Sequence, residues 1–96
     1  MELLPIFLNI RDRKCVVVGG GDIACRKAEL LSRAGAEVHV IARSISERLT
    51  ELSRSQNTTT SEQDFQPACI EGACLVVAAT NDRSVNQRVS DTAREL

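Results

Sequence analysis

Residues 15–24 have the sequence CVVVGGGDIA. The apolar run Cys15–Val18 is typical of a strand that is covered on both faces of a parallel sheet. The run stops at Gly19-Gly20-Gly21, and an amphipathic pattern from Asp22 to Ala34 then predicts a helix. Gly35 is placed to end this helix as its C′ residue. The stretch therefore predicts a strand, a glycine turn and a helix in immediate succession.

The rest of the chain continues the alternation of strands and helices. The predicted elements are a strand over Glu37–Ala42, a helix from Ser44 to about Arg54 opened by a Ser-x-x-Glu capping box, a short edge strand within Gln56–Gln63, a helical turn over Pro67–Gly72, a strongly buried strand over Cys74–Ala79, and a last helix opened by a second capping box at Ser84–Gln87. This order predicts a Rossmann-type α/β fold, with a doubly wound, mostly parallel sheet and helices on both faces. We assign residues 1–96 to one domain.

Three further expectations concern packing. Pro5 places the short extended segment Leu3–Ile10 at a sheet edge, because proline cannot donate a ladder hydrogen bond. His39 lies within a strand that is expected to be buried, and it is predicted to be a core residue with its hydrogen bonds satisfied. The apolar stripe of the first helix is predicted to contain Ile23, Ala24, Lys27, Leu30, Leu31 and Ala34.

The composition excludes several functional classes. Twelve basic and thirteen acidic residues give a net charge of −1, and there are only two aromatic residues, so no nucleic-acid surface is expected. No apolar run is long enough for a membrane span, and the N-terminus lacks the basic segment of a signal peptide, so a cytoplasmic location is expected. The four cysteines form no C-x-x-C pair and there is a single histidine, which predicts structural thiols and no metal site.

The spacing of the glycine turn predicts a dinucleotide site. In a G-x-G-x-x-A pattern, Gly19 makes the tight turn, Gly21 lets a pyrophosphate approach the backbone, and Ala24 lets helix and strand pack closely. The amides of the first helical turn, which includes Asp22 and Ile23, point at such a ligand, and the helix dipole adds partial positive charge. The alternative is a plain strand-to-helix turn, which three glycines would make needlessly flexible. The Asp22 carboxylate would repel a pyrophosphate, and it can instead cap the helix.

Two other loops are expected at the same edge of the sheet. About 20 residues after the glycines, where an acid usually holds the ribose 2′-OH, the chain has no carboxylate but Arg43 and Ser44. Arg43 could stack on adenine or meet a 2′-phosphate, which would favour NADP, and Ser44 could bind the ribose or cap the second helix. Thr80 and Asn81 could contact ribose or substrate, or could form a polar turn. From these residues alone, NAD and NADP both remain open.

Several motifs together are more specific than the glycine turn. They are LPIF at residues 4–7, VVGGGDIACRKA at 17–28, AATND at 78–82 and VNQRVSD at 85–91. With these motifs the chain closely resembles the N-terminal domain of siroheme synthase, the precorrin-2 dehydrogenase/sirohydrochlorin ferrochelatase family. The resemblance extends over nearly the whole chain and is least distinctive over Gln56–Gln66.

This resemblance implies an activity, a cofactor and an assembly. The activity is NAD-dependent oxidation of precorrin-2, a tetrapyrrole, to sirohydrochlorin in siroheme biosynthesis, with iron insertion by the same cleft in several members. The cofactor implied is NAD rather than NADP, held by the residues matching Asp22-Ile23 and Arg43-Ser44, and the full-length protein is expected to be a homodimer. The family's catalytic aspartate is expected beyond Leu96, so this chain is expected to be a truncated part with no catalytic residue and no turnover by itself. The alternatives are a non-catalytic module that binds or senses NAD(H), and a structural fragment that binds nothing.

Overall fold

The computed structural model describes residues 7–55 and 57–95. The strands are β1 (Lys14–Val18), β2 (Glu37–Ala42), β3 (Thr58–Glu62) and β4 (Leu75–Ala78). The helices are α1 (Asp22–Arg33), α2 (Glu47–Ser55) and α3 (Arg83–Glu95), and one 3₁₀ turn (Pro67–Ile70) precedes β4. The predicted order of elements is confirmed.

The four strands form one parallel sheet in the order β3-β2-β1-β4. One face carries a core cluster that includes Ala24 and Ala28 of α1 and Leu49 of α2. The opposite face carries a second cluster that includes Ile70 of the 3₁₀ turn and Val89 of α3. Helical elements therefore cover both faces, and the predicted doubly wound Rossmann-type fold is confirmed.

The end of α1 is set by Gly35, which adopts a φ of 87°. Its N–H donates to the carbonyl of Ser32 at 3.0 Å, and the N–H of Ala36 donates to the carbonyl of Leu31 at 3.1 Å. These two bonds are those of a Schellman motif, in which the left-handed C′ position favours glycine. The predicted role of Gly35 is confirmed.

The buried face of α1 differs from the predicted stripe. Ile23 and Leu30 are 61% and 60% exposed, although both were expected to face the core. The residues that α1 does bury are small: Ala24, Cys25, Ala28 and Ser32. Small side chains let the helix lie close to the sheet. The predicted stripe is therefore confirmed at Ala24 and Leu31 but wrong at Ile23, Lys27, Leu30 and Ala34, which are exposed.

Both predicted capping boxes are wrong. The cap of α2 is Ser46, whose hydroxyl oxygen accepts a hydrogen bond from the N–H of Leu49 at 3.3 Å, and Ser44 lies outside the helix. The cap of α3 is Asp82, and Ser84 lies within the first turn. In each case a second capping residue stands two positions from the predicted one, and the Ser-x-x-Glu/Gln pattern does not choose between them.

The predictions for His39 and for the fourth strand are also wrong. The His39 side chain is 32% exposed, with its ring nitrogens 3.4 Å from Glu37 Oε1 and 3.4 Å from Thr59 Oγ1. On the face of the sheet that carries His39, α3 packs mainly against β4 and the 3₁₀ turn, which leaves His39 only partly buried. Strand β4 is half-buried at best, because no other strand in the described part of the chain pairs with its outer side. Of the predicted segment Leu3–Ile10, residues 1–6 lie outside the described residues, and Phe7–Ile10 form no strand.

Candidate functional site

A cavity of about 800 Å³ opens at the carboxyl edge of the sheet. It lies where the chain leaves β1, β2 and β4, and therefore at the point where the strand order changes direction. Ligands of open α/β sheets bind at such switch points, and small-molecule sites commonly have volumes of about 300–1,000 Å³. The position and size of this cavity make it the candidate site.

The structure brings the predicted site residues together around this cavity. Those that line it are Gly19, Gly20, Gly21, Asp22, Ile23, Arg43, Ser44, Thr80 and Asn81. Ala24 does not line it and is completely buried in the core cluster that joins α1 to the sheet. Its small side chain thus serves the close helix–strand packing that the glycine motif predicts for this position.

The first two glycines of the turn are required by the packing of the chain itself. Gly19 has a φ of 143°, and a Cβ at this residue would lie 2.4 Å from the carbonyl oxygen of Ala79. A Cβ at Gly20 would lie 1.9 Å from the carbonyl oxygen of Ser44. Neither position can accept a side chain unless a neighbouring loop moves.

Gly21 differs from both. Its φ is −96°, which any residue adopts, and a Cβ built there meets no atom of the described residues within 4 Å. The first intrahelical bond of α1 runs from the N–H of Cys25 to the carbonyl of Gly21, so the amides of residues 21–24 have no partner within the helix. The space beside Gly21 is therefore bounded by the positive end of the helix dipole and can receive an anion.

Asp22 stands next to this space but does not cap the helix. Among the residues that the structure describes, no side chain caps the N-terminus of α1, so the capping role predicted for Asp22 is wrong. Its carboxylate instead pairs with Arg48 of α2, with 3.6 Å between Oδ1 and Nη1. The pair is exposed and contributes little to stability, yet the guanidinium offsets the charge that would repel a phosphate. Sequence analysis did not identify Arg48.

The loop after β4 forms the opposite wall of the cavity. Asn86 of α3 accepts hydrogen bonds from the N–H of Thr80 at 3.2 Å and from its hydroxyl at 2.7 Å, and donates to its carbonyl at 3.0 Å. Thr80 therefore orders the loop, as the polar-turn alternative expects, and both Thr80 and the exposed Asn81 line the cavity. A hydrogen bond from the Ser84 hydroxyl, with bonds from backbone amides, lowers the pKa of Asp82.

The segment between β3 and the 3₁₀ turn also lines the cavity and was missed by sequence analysis. Arg43 Nε donates to Asp64 Oδ1 at 2.5 Å. Arg88 of α3 donates to the carbonyl of Phe65 at 3.2 Å and stacks over its ring, 5.5 Å from the centroid. This segment reaches the cavity because the parallel register of β2 and β3 pairs Ala42 with Glu62 and so brings the residues after both strands together, and no local sequence pattern indicates that register.

Two features are absent from residues 7–55 and 57–95. No helix in those ranges combines the length and hydrophobicity that crossing a bilayer requires. In the same ranges no three histidine, cysteine, aspartate or glutamate side chains come together as metal ligands.

The fold and the cavity define the class of protein, a dinucleotide-binding α/β domain. Residues 6–96 match the model of a protein family described as "Putative NAD(P)-binding". The match covers nearly the whole chain, including the glycine turn and both loops that face it.

Curated relatives that match the chain include siroheme synthases. The chain is 45% identical over 96 residues to the enzyme of Nitrosomonas eutropha, which is 99% of this chain and 20% of that protein. It is 47% identical over 100 residues to the enzyme of Nitrosospira multiformis, covering 100% and 21% respectively. Among solved structures, "SirC, precorrin-2 dehydrogenase" matches with a TM-score of 0.85 and 27% identity, over 92% of this chain and 44% of that one.

The chain belongs to the family of N-terminal NAD(P)-binding domains of siroheme synthase, and it is homologous to precorrin-2 dehydrogenase. It spans about one fifth of the length of these siroheme synthases.

Proposed function

We propose that the cavity binds NAD and that the complete protein uses it to oxidise precorrin-2 to sirohydrochlorin. The observation that carries the proposal is the contrast within the glycine turn. Gly19 and Gly20 are glycines because the chain packs against them, whereas nothing in the described chain crowds Gly21. A ligand that occupies the space beside Gly21 supplies the missing reason for a glycine there.

Different residues around the cavity would bind different parts of such a cofactor. The amides of residues 21–24 are the donors for a pyrophosphate, and Arg48 balances the charge of Asp22. Because Ser44 does not cap α2, its hydroxyl is available to the ribose, and Asn81 supplies a side-chain amide on the opposite wall of the cavity. When bound, NAD supplies the nicotinamide ring that accepts a hydride, so the chain contributes binding and orientation.

The substrate proposal depends on the relatives, which are named siroheme synthase and precorrin-2 dehydrogenase. Since the chain spans about one fifth of those siroheme synthases, the dehydrogenation of the tetrapyrrole is proposed for the complete protein. The proposal extends to a homodimer, and to iron insertion as a second activity of the same cleft.

Calorimetric titration of the chain with NAD tests the cofactor site. We expect saturable binding to the wild type and at least about a tenfold weaker affinity for Gly21→Val, because the valine side chain fills the space needed by the pyrophosphate. The φ of residue 21 suits valine, and the described chain leaves space for the side chain. The variant therefore keeps the wild-type circular dichroism spectrum and Tm.

Ala34→Val is the matched control. Ala34 is exposed at the other end of α1, away from the cavity, and the substitution introduces the same side chain without a change of charge. It leaves the NAD affinity unchanged. No binding by the wild type, or equal losses in the two variants, would overturn the proposed site.

Turnover is tested with the complete protein, precorrin-2 and NAD. We expect absorbance at 340 nm to rise as NADH forms. Binding of NAD without any rise would reject the dehydrogenase and favour the non-catalytic module that binds or senses NAD(H).

A further inference from the structure

We propose that the ion pair between Arg43 and Asp64 makes the cavity selective for NAD over NADP. The inference rests on the proposed NAD site and adds the group that decides between the two cofactors. In dinucleotide-binding domains a carboxylate near the end of the second strand accepts the ribose 2′-OH, and an arginine nearby accommodates a 2′-phosphate. This chain places one of each at that position, bonded to each other.

The pair lies at the adenosine end of the cavity. Arg43 directly follows β2, and Asp64 comes two residues after β3, the strand that pairs with β2 on the outer side. Both residues line the cavity. Asp64 therefore occupies in space the acidic position that is missing from the end of β2 in the sequence.

The position of Asp64 is set by the backbone. The N–H of Gln63 donates to the carbonyl of Ala42 at 2.9 Å, which continues the β2–β3 ladder by one bond beyond the last paired residues. One residue earlier, Glu62 Oε1 accepts the N–H of Ile45 at 3.2 Å and ties β3 to the loop that carries Arg43. The pairing of neighbouring strands thus brings the side chains of Arg43 and Asp64 together.

The charges at this edge oppose a 2′-phosphate. A phosphate monoester carries about −1.5 to −2 charges near neutral pH, and it needs a cation with free donors. The Asp64 carboxylate that accepts the Nε hydrogen bond offsets the charge of Arg43, so the pair presents no net positive charge to a 2′-phosphate. The 2′-OH of NAD meets no such penalty, since a hydroxyl can donate to a carboxylate.

The pair can be broken without unfolding the protein. The side chains of Arg43 and Asp64 are 77% and 63% exposed, and exposed ion pairs contribute little to stability. Substitutions at these positions therefore report on cofactor choice rather than on folding.

The test measures the Kd of NAD and of NADP for the wild type and for Asp64→Ala. We expect the Kd of NADP to fall about tenfold in the variant, the size of one charge-assisted hydrogen bond, and that of NAD to rise by about the same factor, because its 2′-OH loses the carboxylate that accepts it. Asp64→Asn gives a change in the same direction with nearly the same side-chain volume. Glu62→Gln is the matched control: it removes a neighbouring charge but leaves Arg43 bonded to Asp64, so the ratio of the two Kd values changes by less than about threefold.

The gain in NADP affinity in Asp64→Ala could come from the freed Arg43 guanidinium or merely from the loss of a negative charge. The double variant Arg43→Ala/Asp64→Ala distinguishes these two causes. We expect the gain in NADP affinity to disappear in it. An unchanged ratio of Kd values in Asp64→Ala, an equal gain in Glu62→Gln, or a gain that persists in the double variant would each overturn the inference. Failure of the proposed function looks different, because then the wild type binds neither cofactor.

Discussion

Strands β1 and β4 have similar sequences but very different surroundings. Both are short and rich in valine, and their residues pair directly, Val17 with Val77 for example. Val16 and Val17 of β1 are completely buried, whereas the residues of β4 are half-buried or exposed. Burial here depends on position in the sheet, since β1 has a strand on each side and β4 has one only on its inner side within residues 7–55 and 57–95.

The largest difference between the two strands is expected in stability. Val17→Ala should lower the free energy of unfolding by about 2–3 kcal/mol, because it removes fully buried methyl groups and leaves a cavity. Val77→Ala, at the paired position on the same face, should lower it by about 1 kcal/mol. Urea denaturation followed by circular dichroism measures both, and equal losses would mean that β4 is as well covered in solution as β1.

A smaller contrast is expected between the thiol of Cys15 in β1 and that of Cys74, which directly precedes β4. Burial, together with the neighbouring thiol of Cys74, raises the pKa of Cys15 to about 11, and the two sulphur atoms lie 3.8 Å apart. The thiolate is the reactive form, and Cys15 is completely inaccessible. At pH 8 a thiol reagent should therefore modify Cys74 at least about tenfold faster than Cys15, as measured by mass spectrometry of quenched samples. Faster modification of Cys15 would contradict the difference in burial.

The smallest effect concerns the loop that joins β4 to α3. Asp82 accepts hydrogen bonds from the Ser84 hydroxyl and from the amides of Ser84 and Val85, which lowers its pKa. Its contribution to stability is present above the unfolded-state pKa and is lost as the pH falls through the lower folded-state value.

Asp82→Ala should therefore lower the Tm by a few degrees at pH 7 and by less as the pH falls below about 4. Thermal melts of wild type and variant across that range measure the difference. A Tm difference between wild type and variant that is the same at every pH would show that the ionised carboxylate of Asp82 does not stabilise the N-terminus of α3.

The order of elements was predictable from the sequence, because uninterrupted apolar runs and glycine punctuation are local signals. The burial of β4 was not, since the same run is compatible with an inner or an outer strand. The face of α1 was also mispredicted, because Ala24 and Ala28 pack closely while the larger Ile23 and Leu30 stay exposed. Neighbours in space, rather than neighbours in sequence, decide these features.

The same distinction applies to the candidate site. The glycine turn was found because its spacing is a continuous motif, and Arg43 was found because its distance from that motif is regular. Asp64 and Arg48 were missed, because each acts through a partner more than 20 residues away in the sequence. The register between β2 and β3 brings Asp64 to Arg43, and no local pattern encodes that register.

The contact between the glycine turn and the loop after β2 has a consequence for ligand association. The carbonyl of Gly20 accepts the N–H of Ser46 at 3.3 Å, and the carbonyl of Ser44 lies where a Gly20 side chain would be. The two loops contact each other in the free protein, so the pocket is already formed before a nucleotide binds. Binding therefore carries little entropic cost for ordering either loop. Exchange of the Ser46 amide hydrogen should accordingly be slow before any nucleotide is added.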